Sequence, residues 1–160
     1  MFVASWGMRM RITLGKRGGY AVRAVLYLAT HRGGGLRKTR EIANAMRIPL
    51  AYLPQILAEL VRAELLVATA GRDGGYQLAR HPSAISLLQV VEAAEGPVDM
   101  LHSCLLRDIP CGTDGYCAAH ESWAGAQDAL ARKLRATSFA DLVRKSASLS
   151  VSPAQLVDGQ

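Results

Sequence analysis

Three cysteines and one histidine are the residues of this chain whose types and spacing could do chemistry. Cys104, Cys111 and Cys117 are all the cysteines of the 160-residue chain, and six and then five residues separate them. His120 follows three residues after the last cysteine. Thiolates gathered on one loop, with an imidazole about one helical turn beyond, are the ligands that zinc or an iron–sulfur cluster requires. The spacing therefore predicts a metal or cluster site.

Two other interpretations of these thiols stay open at this point. They could be unpaired surface or core cysteines that bind nothing. A disulfide framework is disfavoured, because the count is odd and no secretory signal precedes it.

The chain has no Cys-x-x-Cys pair, no paired carboxylates and no phosphate-cradling loop, and nothing combines a nucleophile with an oriented base. We therefore predict that it is not an enzyme.

The charge is unevenly distributed between the two halves of the chain. Residues 1–80 carry 13 Lys or Arg against 4 Asp or Glu, whereas residues 81–160 carry 6 against 9. A basic half suits a polyanion, most simply the phosphates of DNA, and a mildly acidic half suits a protein contact. The first ten residues lack the apolar core and cleavage site of a signal peptide, and no apolar run approaches ~18 residues. We expect a cytoplasmic protein without a membrane partner.

The first half contains a helix-turn-helix pattern. An apolar run from Tyr20 to His31 predicts a buried helix that ends at three glycines. A second helix is expected after Thr39 as its N-cap, and a third within residues 50–66, whose apolar residues share one face. Two helices joined by a tight turn at Ile48 and Pro49 fit this motif, although generic helical hairpins share the periodicity.

A predicted β-hairpin follows directly. Residues 65–69 form an apolar, branched run, the segment GRDGG at 71–75 is a turn, and residues 76–78 return as the partner strand. A helix-turn-helix followed by such a hairpin predicts a winged helix, with Arg72 at the wing tip near a phosphate or the minor groove. The alternative is a hairpin that only closes the core.

The second half is predicted to be helical around the cysteine segment. Ser86 and Gln89 have capping-box spacing at the start of a helix that ends at Gly96. Beyond the last cysteine, an apolar stripe predicts a helix of about four turns. Little chain remains to cover that stripe, so we expect a second subunit to cover it. Packing of the tryptophan against its own domain is the alternative. The predicted dimerisation residues are Trp123, Ala126, Leu130 and Leu134. A final short helix is expected over SFADLVRKSA.

These patterns together predict a mainly α protein with a small β-hairpin, a winged helix-turn-helix plus a long C-terminal dimerisation helix. We expect a DNA-binding region at residues 10–82 and a cluster-binding loop with dimerisation helices at residues 83–145. Residues 1–9 and 149–160 are expected to be disordered ends.

The chain resembles the bacterial winged-helix regulators that include the iron–sulfur cluster regulator IscR and the nitric-oxide-sensing repressor NsrR. Five features carry the resemblance: MRITLGKRGGYAVRAVLYLA, IANAMRIPLAYLPQILAELVRAELL, GRDGGYQLAR, SLLQVVEAAEGPVD and the three cysteines. It runs almost continuously from residue 10 to about residue 134. It implies a homodimeric transcription factor, expected to be a repressor, that binds a near-palindromic operator in double-stranded DNA. Its operator affinity would depend on an iron–sulfur cluster that senses redox state, nitric oxide or iron–sulfur status.

The resemblance also implies a ligand set. Cys104, Cys111 and Cys117 match the cluster ligands, and His120 matches the histidine that IscR-like members use as fourth ligand. NsrR-like members instead have an aspartate just before the aromatic residue of the first helix, where this chain has Gly19. His120 is therefore favoured and His102 is a weaker candidate. We expect [2Fe–2S] in preference to [4Fe–4S]; a structural zinc or a thiol-only site without cluster sensing is the alternative.

The predicted DNA contacts are of two kinds. Tyr52 and Gln55 are the candidates near the bases, because the amide of Gln55 can pair with an adenine edge. The expected phosphate contacts are Lys38, Arg40, Arg47 and Arg72. Related recognition helices carry a polar residue where this chain has Pro54, so either the helix begins late, with Pro54 in its first turn, or it bends there.

Overall fold

The computed structural model describes residues 14–97, 106 and 117–149. This described part contains six α-helices, a short 3₁₀ turn and one antiparallel hairpin, which confirms the expected fold class. The elements in chain order are α1 (Lys16–Thr30), α2 (Thr39–Ala45), α3 (Leu53–Arg62), β1 (Leu66–Thr69), β2 (Gly75–Leu78), the 3₁₀ turn (Pro82–Ala84), α4 (Leu87–Glu95), α5 (His120–Ala136) and α6 (Phe139–Ser148). The predicted disordered ends lie outside the described residues, apart from Leu149.

Helix α1 is the centre of the fold. It begins four residues earlier than the predicted Tyr20, and Ala21, Ala24 and Val25 are completely buried along it. α1 packs against α2, α3, α4, α6 and β2. Because a helix surrounded on several sides must be apolar on several sides, this packing explains its lack of a polar face.

The structure moves one predicted helix start in the helix-turn-helix by one residue and decides between the two alternatives for the other. Thr39 is the first residue of α2 rather than its N-cap, which is Lys38; the Glu41 side chain accepts a hydrogen bond from the Lys38 N–H at 3.4 Å. α3 begins only at Leu53, with Pro54 in its first turn. A proline is tolerated there because the first helical N–H groups have no partner inside the helix. Of the two predicted alternatives, the late helix start is confirmed, and the bend at Pro54 is not needed.

The hairpin pairs its strands in one register. Leu66 pairs with Leu78 and Thr69 with Gly75, so the connection between the strands is the five residues 70–74, longer than a two-residue hairpin turn. Leu66 is buried and the next three residues of β1 are exposed. The hairpin thus contacts the core at its base and projects its other end into solvent.

Both predicted ends of α4, the helix that precedes the cysteine segment, are confirmed. The Ser86 hydroxyl accepts a hydrogen bond from the Gln89 N–H at 3.2 Å, and the Gln89 side chain accepts one from the Ser86 N–H at 3.0 Å. Gly96 ends the helix. α4 packs against α1 and also against α3 and α5.

The chain returns to the same core after the cysteine segment. Phe139, the first residue of α6, is completely buried, and its N–H donates to the Ile85 carbonyl at 3.0 Å. The Leu87 N–H donates to the Thr137 carbonyl at 2.8 Å. One hydrophobic core is therefore shared by helices from the two regions predicted at residues 10–82 and 83–145, whose division by function stays a prediction. No helix in the described residues is both long and apolar enough to cross a membrane.

Candidate DNA-binding surface and cluster-ligand segment

The turn between α2 and α3 is held by backbone hydrogen bonds. The Ile48 N–H donates to the Ala43 carbonyl at 2.9 Å, and the Tyr52 N–H donates to the Pro49 carbonyl at 3.0 Å. Arg47 has a φ of 48°, in the left-handed region that reverses a chain tightly. Met46 and Ile48 on either side of it are buried. The turn consequently fixes α3 relative to α2 and leaves Arg47 exposed.

The first turn of α3 presents a polar, exposed surface. Leu53, Ile56, Leu57 and Leu60 are buried on the opposite face. Tyr52, the N-cap residue, is 58% exposed, and Pro54 and Gln55 are exposed beside it. An exposed first turn of the second helix is the part of a helix-turn-helix that reaches base edges. The structure thus places both predicted base contacts on one accessible turn, and their contact with DNA stays a prediction.

The wing is joined to the residue that precedes α2. Arg37 and Tyr76 exchange two backbone hydrogen bonds, both of 2.9 Å, and so form an isolated antiparallel bridge beside β2. A Cβ at Gly75 would lie 2.6 Å from the Arg37 carbonyl oxygen, and one at Gly74 would lie 2.1 Å from the Thr69 oxygen. Both neighbours are backbone atoms. The two glycines are therefore required by close chain packing where the turn of the wing enters β2.

A polar network supports this junction from α1. The Tyr27 hydroxyl donates to Glu41 at 2.8 Å, and the Arg37 guanidinium donates to the same carboxylate oxygen at 2.9 Å. Burial raises the pKa of Glu41, but the hydrogen bonds from Tyr27 and Arg37 outweigh it and hold that pKa below its usual value. Burial and the bond to Glu41 raise the pKa of Tyr27. Glu41 is thus an anion that connects α1, α2 and the wing.

All four predicted phosphate-contacting cations are exposed. Two of them are brought together, because the Lys38 ammonium donates to the backbone carbonyl of Arg72 at the wing tip. Arg40 lies in the first turn of α2 and Arg47 in the turn before α3. The four side chains therefore line the helix-turn-helix and the wing, although one of them also holds the wing in place.

The described residues include two of the four predicted cluster ligands. The His120 N–H donates to the Cys117 carbonyl at 3.0 Å, so these two residues close one turn at the beginning of α5. Cys117 and His120 are both half-buried. Cys104, Cys111 and the weaker candidate His102 lie outside the described residues. The pair fits a cluster site, since two ligand types share one turn at a helix N-terminus, where negative charge is favoured.

A family model described as "Rrf2: Iron-dependent Transcriptional regulator" matches residues 14–145. The chain belongs to the Rrf2 family. It is 35% identical over 86% of its length to ORF2 of Azotobacter vinelandii, a protein named as an HTH-type transcriptional regulator, and covers 81% of that protein. It is 32% identical over 89% of its length to the HTH-type transcriptional regulator IscR of Sodalis glossinidius, and covers 84% of it.

A solved Rrf2-like structure has the same fold. CymR, the global cysteine regulator of B. subtilis, superposes with a TM-score of 0.71 and 26% identity over 84% of this chain and 98% of CymR. The chain is accordingly a DNA-binding transcriptional regulator of the Rrf2 family and not an enzyme. The iron–sulfur ligands, the base contacts and the dimer residues stay predictions.

The predicted dimerisation stripe of this Rrf2 chain lies on α5 with much of its surface uncovered. Ala126 is exposed, and Trp123, Leu130 and Leu134 are only partly buried against the rest of the chain. α5 packs on α4 within the chain, which accounts for the part that is covered. The open part is consistent with a partner helix, which stays a prediction.

Spacing along the sequence did not identify two contacts between α1 and the recognition helix. The ring of Tyr20 stacks on that of Tyr52, with centroids 6.4 Å apart and planes 29° apart. The Arg17 guanidinium forms an ion pair with Glu59 on α3, and this pair raises the pKa of Arg17. The only sign of these contacts in the sequence is that Arg17 and Tyr20 are three residues apart and Tyr52 and Glu59 seven, so that each pair lies on one face of its helix. Many other residues of α1 have the same spacing.

Proposed function

We propose that this Rrf2 chain is a homodimeric repressor that binds a near-palindromic operator in the cytoplasm and whose affinity is set by an iron–sulfur cluster. The proposed ligands are Cys104, Cys111, Cys117 and His120, and [2Fe–2S] is expected in preference to [4Fe–4S]. When bound, the cluster would supply a centre that reacts with oxidants or nitric oxide. The observation that carries this proposal is the Cys117–His120 turn at the start of α5, in a chain whose family is described as iron-dependent.

The described helices offer a physical route between the ligand-bearing segment and DNA. The segment joins α4 to α5 in sequence, and these two helices pack against each other. α4 also packs against α3, whose first turn carries Tyr52 and Gln55. A change in the segment therefore acts on a helix that contacts the recognition helix.

The dimer is part of the proposed mechanism. Two recognition helices must lie about 34 to 36 Å apart to enter successive major grooves. If the partly open α5 stripe is covered by the same stripe of a second subunit, the position of α5 sets that distance. Occupancy of the cluster site would then change operator affinity without any change in the DNA-contacting side chains.

The experiment that tests this proposal is anaerobic purification followed by visible absorption and by iron, sulfide and zinc analysis. Brown protein with stoichiometric iron and sulfide is the expected result. Binding is then measured, before and after removal of the cluster, to a duplex that the protein itself selects from a random-sequence library. Colourless protein with bound zinc, or with no metal, would contradict the cluster proposal and leave a DNA-binding regulator with a structural or thiol-only site.

Matched variants assign the ligands. Cys117→Ser should abolish the cluster absorption, and His120→Ala should weaken or shift it. Ser122→Ala is the control, because Ser122 is exposed on the first turn of α5 beside His120. Equal cluster content in His120→Ala and Ser122→Ala would show that the fourth ligand lies elsewhere.

A further inference from the structure

Tyr52 reaches solvent from the N-terminus of the recognition helix, and its own helix does not fix its ring. Its backbone is held, since its N–H donates to Pro49 at 3.0 Å and its carbonyl accepts from Ile56 at 3.3 Å. Its side chain makes no capping hydrogen bond and is 58% exposed. An exposed tyrosine samples several staggered rotamers unless a neighbour excludes them. Something outside α3 must therefore select its orientation.

Tyr20 of α1 is the neighbour that contacts this ring. It is half-buried and packs against the hydrophobic core, so its own position is well determined. Its ring stacks on Tyr52 at 6.4 Å between centroids, within the range of offset aromatic pairs. The guanidinium carbon of Arg23 lies 5.6 Å from the Tyr20 centroid, a cation–π distance. Three side chains thus form a series from α1 to the start of α3.

A second contact shows how α1 and α3 are aligned. Arg17 of α1 pairs with Glu59 of α3, and Tyr20 of α1 stacks on Tyr52 at the start of α3. Along α1, Arg17 comes one turn before Tyr20, whereas along α3 its partner Glu59 comes two turns after Tyr52. The two helices therefore meet in an antiparallel sense at two points. Both contacts lie on the side of α3 that faces α1.

We propose that Tyr20 is a positioning residue for DNA recognition, whose ring holds the Tyr52 side chain in the orientation that enters the groove. This inference rests on the part of the proposed function that places the first turn of α3 at the bases. Tyr20 itself acts through Tyr52 rather than through a contact of its own. Removal of the stack lets Tyr52 occupy other rotamers in the free protein. Its side chain must then be ordered when the operator binds, and this ordering lowers the affinity.

A double-mutant cycle tests this inference with cluster-containing protein and the library-selected duplex. Tyr20→Leu keeps an apolar contact with the core but removes the ring, and Tyr20→Phe keeps the ring. Tyr20→Leu should weaken operator binding about two- to tenfold per subunit, the range expected for an aromatic pair. Tyr20→Phe should bind like the wild type. In a Tyr52→Ala background, Tyr20→Leu should have almost no further effect.

Other readouts separate positioning from folding. Binding to a scrambled duplex of equal length and the salt dependence of binding should be the same in Tyr20→Leu and Tyr20→Phe. Thermal unfolding should show that both variants are fully folded at the temperature of the binding assay. An equal loss from Tyr20→Leu with and without Tyr52 would overturn the inference. Equal losses on the operator and the scrambled duplex would do so too. If Tyr52→Ala alone left operator affinity unchanged, the base-contact assignment of Tyr52 would fail, whereas the cluster proposal would stand on its spectrum.

Discussion

The backbone N–H of Gly18 donates a 2.9 Å hydrogen bond to the carboxylate of Glu95 and joins the first turn of α1 to the last residue of α4. A Cβ at Gly15 or at Gly18 would lie 2.5 Å from the same carboxylate oxygen, so the two glycines make room for it. An anion at a helix N-terminus is stabilised by the unpaired N–H groups and the helix dipole. The end of α4, which leads into the cysteine segment, is therefore fastened to the central helix.

Adjacent glycines of α1 should respond differently to alanine. Gly19 has open space around its Cβ position, so Gly19→Ala should raise the free energy of unfolding by up to about 1 kcal/mol through helix propensity. Gly18→Ala gains the same propensity but displaces Glu95, so it should be less stable than Gly19→Ala by about 1 kcal/mol. Urea denaturation at equal protein concentration measures both. Equal effects would show that the Glu95 contact contributes nothing to stability.

The start of α6 should carry a pH-dependent part of stability. The Ser138 hydroxyl and N–H donate to Asp141 at 2.7 and 3.1 Å, and these bonds lower the pKa of Asp141. A carboxyl group whose pKa is lower in the folded state stabilises the fold above its unfolded pKa of about 3.9 and loses this contribution as the pH falls through the folded pKa.

Asp141→Asn removes the titration but keeps a hydrogen-bond acceptor. The free energy of unfolding should therefore fall less steeply with decreasing pH below about pH 4 in Asp141→Asn than in the wild type. Asp128→Asn is the control, because Asp128 is exposed on α5 and pairs with Arg132 of the same helix. Parallel pH curves for the wild type and Asp141→Asn would contradict the prediction.

Phosphate and base contacts should separate by salt dependence. Arg40→Gln should weaken binding to the operator and to scrambled DNA alike. Each lost phosphate contact should lower the slope of log affinity against log salt by about 0.9, which is about two for a dimer. Arg132→Gln, exposed on α5, is the control and should leave the slope unchanged.

Gln55→Ala should behave differently from Arg40→Gln. Its salt slope should stay unchanged, while preference for the operator over a duplex substituted at one base pair should fall by about 1 to 3 kcal/mol at the position it reads. Selection of new duplexes from the random library identifies that position. An unchanged base preference would exclude Gln55 from base reading.

The open stripe on α5 should determine the oligomeric state. Leu130→Glu puts a charge into the predicted interface, which is strongly unfavourable when the charge is buried without a partner, so it should shift the protein towards the 17.2 kDa monomer. Arg132→Glu is the control, because Arg132 is exposed two residues away, on the opposite face of α5 from Leu130. Sedimentation equilibrium measures the mass. A dimer for both variants would move the interface away from Leu130.

The sequence alone predicted the parts of this protein that local chemistry determines. The capping box of Ser86 and Gln89 and the stop at Gly96 define α4 because their hydrogen bonds span three or four residues. The steric limits of the Pro54 ring left two alternatives, a late helix start or a bend, and the structure has the late start. The glycine-rich turn predicted the wing, and the family resemblance predicted the DNA-binding role.

The tertiary structure decided which distant residues meet. Glu95 contacts Gly18, Tyr20 contacts Tyr52, and Arg37 adds a bridge to the wing, although none of these pairs shares a motif. Phe139 enters the core beside Ile85, which the pattern of a short final helix did not indicate. Such contacts depend on how helices pack in space, and packing is set by the summed burial of many side chains. Spacing within one helix predicts which face is buried, but not which residue of another helix it will contact.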